Sequence, residues 1–128
     1  AASIMPERYD VEIFEAHHNR KKDAPSGTAL RMFDIVKENS PCRSDAVPLS
    51  RPEGIIGERT KREIGMQVLR GGDIVGEHTV FFVGEGERIE ITHRCTNREN
   101  FAQGAVAGAA YIAGKPAGLY TIEDVLGI

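Results

Sequence analysis

The sequence predicts an α+β fold, a mostly antiparallel open sheet with helices on one face. Two observations carry this. Apolar runs of strand length at residues 64–69, 74–83 and 88–95 follow one another with Gly-rich turns between them. A helical period opens at Ser26-Gly27, and a second follows Cys95. Hairpins carrying helices give an α+β layout.

Residues 9–16 hold Val11, Ile13 and Phe14 among acids, and read as a strand. Its end delivers His17 and His18. Neighbours on a strand face opposite ways, so one histidine faces a site while the other braces it or reaches round a turn. Residues 19–25 form a polar loop, in which Pro25 favours an extended Ala24. A helix starts at Ser26 or Gly27 and runs to about Lys37. Ala29, Met32 or Phe33, and Val36 give it one buried face. Asn39, Ser40 and Pro41 stop it.

Residues 43–63 are rich in Pro, Gly and charge, and read as a long functional or interfacial loop. Three strands follow, separated by Gly71-Gly72-Asp73 and by 84–87; Ile89, Ile91 and His93 share a face of the third. Thr96-x-x-Glu99 is a capping box, with Asn97 as a rival cap. The helix after it aligns Phe101, Ala105, Ala109 and Ile112. Gly114 and Pro116 end it. Small residues at 104–114 permit close packing, within the domain or against another element. Residues 118–128 form a short apolar tail.

A length of 128 residues suggests one domain, and 41 % hydrophobic with 27 % charged residues is ordinary for a globular chain. The net charge of −3 gives no electrostatic support for a nucleic-acid partner. No apolar run reaches 18 residues and no signal peptide is visible, so no membrane partner and a cytoplasmic location are expected. Cys42 and Cys95 lack C-x-x-C spacing and read as free thiols. The start, Ala1-Ala2-Ser3-Ile4, has no initiator Met and reads as the tail of a helix that begins upstream.

The chemistry concentrates in 15–29, Glu-Ala-His-His-Asn-Arg-Lys-Lys-Asp-Ala-Pro-Ser-Gly-Thr-Ala. Histidines carry protons near neutral pH, and Lys21 brings charge and a proton. Ser26-Gly27-Thr28 offers backbone N–H groups at a helix start, where an anion is favoured. These groups suit a small carboxylate that gains or loses a proton. Against this stand plainer readings. A lysine run is usually a solvated face, and a lone histidine is usually structural. His78 and His93 are taken as structural or surface. No metal site is expected, because the four histidines are scattered and H-E-x-x-H is absent. Gly84-Glu85-Gly86 lacks the third glycine of a dinucleotide fingerprint and lies between strands.

E-A-H-H-x-x-K-x-D-A-P-S-G-T-A resembles the signature of the dihydrodipicolinate reductases, enzymes of lysine and diaminopimelate synthesis. The resemblance implies a fold like their C-terminal domain, with an N-terminal domain that binds NADPH or NADH lying outside this chain. It implies a small cyclic dicarboxylate substrate and a homotetramer formed through the sheet. It makes His17 a proton donor and acceptor and Lys21 a proton donor. It makes His18, Gly27 and Thr28 substrate-binding, with Ser26 either capping the helix or touching substrate. Arg98 falls near the domain junction, and 98–128 would pack toward the nucleotide domain. These residues alone would not turn over. The rival is a non-catalytic carboxylate-binding or oligomerisation module, which would not need His17, Lys21 and Ser-Gly-Thr together.

Overall fold

The computed structural model describes all 128 residues. The elements are β1 (Asp10–His17), α1 (Gly27–Glu38), a 3-10 turn (Pro41–Arg43), β2 (Pro48–Leu49), β3 (Ile64–Arg70), β4 (Gly76–Val83), β5 (Arg88–Cys95), α2 (Glu99–Ile112) and α3 (Ile122–Leu126). The chain divides into two compact units, 1–94 and 95–128.

The sheet has five strands in the order β2-β3-β1-β4-β5. It is mixed, which corrects the mostly antiparallel expectation. β1 lies parallel to β3 and antiparallel to β4, and β2 lies parallel to β3. Residues 64–70 and 76–83 are close in sequence but do not pair with each other, because β1 sits between them. Their connection crosses the end of β1. Gly71 N–H donates to the His17 carbonyl at 3.0 Å, and Asn19 N–H donates to the Gly72 carbonyl at 3.2 Å. Gly72 takes a positive φ of 48° there, which favours glycine.

One sheet face is the core. Val11 and Ile13 pair with Ile64 and Met66 on one side and with Phe82 and Val80 on the other. All six are buried against Ala29, Phe33 and Val36 of α1. Burying such side chains contributes about 1.5–3 kcal/mol each. The helix stripe is as the sequence predicts, with Phe33 as its deep residue and Met32 at its margin.

The long loop is more ordered than its composition suggests. Arg59 bonds Glu12 at 3.0 Å, Asp10 at 3.1 Å and the Val11 carbonyl at 2.8 Å, tying 43–63 to β1. Arg43 is buried and its guanidinium bonds the Tyr9 carbonyl.

In the second unit the cap differs from expectation. Thr96 does not cap α2; Asn97 Oδ1 accepts from Glu99 N–H at 3.0 Å. The capping box lies instead at Thr121 and Asp124, which start a helix, α3, in the expected tail. α2 has no buried residue; Phe101, Val106 and Ile112 are all exposed. No helix is long and apolar enough to cross a membrane.

Candidate active site

The C-terminal end of β1 carries the cluster. Glu15 is fully buried, and its carboxylate is the hub. Arg70, the last residue of β3, grips it with two bonds, 2.7 Å to Oε1 and 2.8 Å to Oε2. His17 Nδ1 lies 2.6 Å from Oε2. Ser26 N–H donates to Oε1 at 2.9 Å. Burial alone would raise the Glu15 pKa; the bonds from Arg70, His17 and Ser26 outweigh it and hold the carboxyl below the usual range.

Ser26 is the N-cap of α1. Its hydroxyl accepts from Ala29 N–H at 3.2 Å and lies 3.0 Å from His78 Nε2. With its N–H given to Glu15, Ser26 is committed inside the fold. Capping is one of the two roles held open for it. The next N–H groups, those of Gly27 and Thr28, sit on the exposed first turn. They have no acceptor within the helix and lie at the positive end of its dipole.

Lys21 is partly buried and bonds Asp23 at 2.8 Å. Asp23 is held below the usual carboxylate range, first by this bond. The Asp23 carbonyl also accepts from Arg70 at 2.8 Å, which fixes the loop that carries Lys21. His17 and His18 are both half-buried. Ala24-Pro25 is a cis peptide. Arg98 lies in the other unit, at the N-cap of α2.

Two members were missed in the sequence. Arg70 reaches the cluster because β3 runs parallel to β1, with Arg70 opposite His17. His78, taken as structural or surface, is buried opposite Glu15 on β4, and its ring meets that of His17 edge-on at 5.2 Å. Burial, then the neighbouring His17, pushes its pKa down. The only signal for either lay in the strand register.

A separate cavity of about 560 Å³ lies at the other end of β1, lined by Arg8, Asp10, Lys61, Glu85 and Glu87 among others. Along β1 that end is roughly 23 Å from His17. It mixes both charges and holds none of the motif residues. The helix-start cluster is therefore the better candidate for an anionic ligand.

The chain is also similar to known proteins. The family described as "Dihydrodipicolinate reductase, C-terminus" matches residues 1–126. Proteins named 4-hydroxy-tetrahydrodipicolinate reductase from Anaeromyxobacter sp. (strain Fw109-5) and Geobacter sulfurreducens are each 56 % identical, over 100 % and 99 % of this chain and 48 % of their own length. The dipicolinate-bound dihydrodipicolinate reductase from Paenisporosarcina sp. TG-14 is similar in structure, with a TM-score of 0.68 and 28 % identity over 96 % of this chain and 47 % of that one. The chain thus spans about half the length of the curated relatives it matches. By sequence and by fold, the chain belongs to the dihydrodipicolinate reductase family and corresponds to its C-terminal domain.

Proposed function

We propose that this chain is the substrate-binding and proton-donating part of a 4-hydroxy-tetrahydrodipicolinate reductase. The complete enzyme is an NADPH- or NADH-dependent oxidoreductase of lysine and diaminopimelate synthesis, placed in the cytoplasm. The observation that carries this reading is that buried Glu15 ties His17 and the helix start at Ser26 together directly and, through Arg70, the loop that carries Lys21. A similar protein is described as dipicolinate-bound, and dipicolinate is a planar ring with two carboxylates.

The chemistry follows from the groups present. A carboxylate of the ligand sits on the N–H groups of Gly27 and Thr28, where the helix dipole favours it. Lys21 and His18 supply further contacts to the anion. Reduction of a conjugated imine drives electrons toward the ring nitrogen, so a proton must be delivered there. His17 and Lys21 are its sources.

The chain's own residues do not fit a dinucleotide. Gly84-Glu85-Gly86 is a hairpin turn in which Gly84 N–H bonds the Glu87 carbonyl at 3.0 Å, and it leads into β5 rather than a helix. Glu85 and Glu87 there would repel a pyrophosphate. We assign the nucleotide to the part of the enzyme outside this chain. The homotetramer is assigned to the sheet face away from α1.

The test is calorimetric titration with dipicolinate, beside Lys21→Ala. Losing one charge-assisted contact costs about 1.5–3 kcal/mol, or roughly 10- to 150-fold in affinity. Unaltered affinity in Lys21→Ala would remove Lys21 from the site. Absence of binding, both in the chain and in the complete enzyme, would leave the oligomerisation module.

A further inference from the structure

We propose that Glu15 is a positioning residue for His17: its carboxylate, gripped by Arg70, fixes the imidazole in the Nδ1–H form. Nε2, beside Gly76, is then the nitrogen that exchanges a proton with the ligand. The inference deepens the reading of His17 given above and rests on it.

The hydrogen-bond inventory decides the tautomer. Glu15 Oε1 accepts from Ser26 N–H and Arg70, and Oε2 accepts from Arg70. A carboxylate clamped by a guanidinium and a backbone N–H is ionised and can only accept. The His17 nitrogen 2.6 Å from Oε2 must then be the donor. A neutral His17 carries its hydrogen on Nδ1 and its lone pair on Nε2. A charged His17 gives up the Nε2 proton to the ligand and returns to that same neutral form. Glu15 neither gains nor loses a proton.

The surroundings of Nε2 fit this role. A Cβ added to Gly76 would stand 3.2 Å from Nε2, tighter than most such contacts, and 3.5 Å from Cδ2, an ordinary contact. The imidazole lies close over residue 76, and glycine there gives it room. On another side the His78 ring packs edge-on at 5.2 Å, which hinders a ring flip. The carboxylate that orients His17 also takes the N–H of Ser26, so one group sets the spacing between the proton donor and the helix start.

The test is a long-range nitrogen–proton NMR spectrum of the 15N-labelled chain at a pH where His17 is neutral, with and without dipicolinate. The expected spectrum shows a protonated Nδ1 and a bare Nε2, with dipicolinate moving the Nε2 resonance more than Nδ1. Glu15→Gln should mix the two tautomers. Gly76→Ala should keep the Nδ1–H signature but reduce the Nε2 response, and it leaves Glu15 untouched. In the complete reductase, Glu15→Gln should lower kcat about 10- to 100-fold with KM changed less than about 3-fold, the usual cost of losing an imidazole's outer partner. The unsubstituted spectrum decides the tautomer even if Glu15→Gln does not fold. A bare Nδ1, or a Glu15→Gln enzyme with full kcat, overturns the inference and leaves His17 as proton donor. A His17 ring that does not respond to dipicolinate overturns both.

Discussion

Glu15 gathers four donor nitrogens on two oxygens while wholly buried, and the site's response to pH follows from that. Its pKa is depressed in the folded state. Its contribution is therefore present above the ordinary carboxylate pKa of about 4.3 and is lost as pH falls through the lower folded value. His78 is depressed as well, because it is buried and stands beside His17. Below about pH 6.5 the unfolded chain takes up a proton on this histidine that the folded chain resists. The thermal midpoint should thus fall between pH 7 and pH 5, before the carboxylates titrate. His78→Gln should flatten that slope; equal slopes would exclude His78 as the cause. At this scale the sequence was partly legible. His17, Lys21 and the Ser-Gly-Thr turn lie within a dozen residues and declare themselves. Arg70 and His78 come from other strands, and nothing local in the sequence marks them as partners of Glu15.

The helix start and the central strand carry the energetics of the elements. Ser26 caps α1 through Ala29 N–H and also engages His78, so Ser26→Ala should cost about 1–2 kcal/mol, the range for a lost N-cap. Urea unfolding measures it, and an unchanged midpoint would show that the cap is not used. Ile13 is fully buried at the centre of β1, between Met66 and Val80. Ile13→Ala should cost about 2–5 kcal/mol. Most element types were readable from periodicity, but β2, α3 and the pairing were not. Strands 64–70 and 76–83, joined by Gly71-Gly72-Asp73, look like a hairpin because the turn chemistry is right for one. β1 competes for the same position and wins, since its apolar residues face the core between both neighbours. β4 is accordingly an interior strand, with His78, Thr79 and Val80 buried in succession on both faces.

As a whole molecule, this is one part of a two-part enzyme in the proposed reading. The 1–94 unit has a buried core, and α2 leaves Phe101, Val106 and Ile112 exposed, as expected of a segment that meets another element. Reduction should therefore be undetectable with the chain alone and appear only in the complete enzyme. Ligand binding, by contrast, should reside here. The most direct measurement is a backbone amide NMR titration of the chain with dipicolinate. The account predicts that the amides of Gly27 and Thr28, at the start of α1, move most, together with those of His17 and His18. Shifts centred instead on the cavity of Arg8, Asp10 and Lys61 at the opposite end of β1, with Gly27 and Thr28 unmoved, would contradict it.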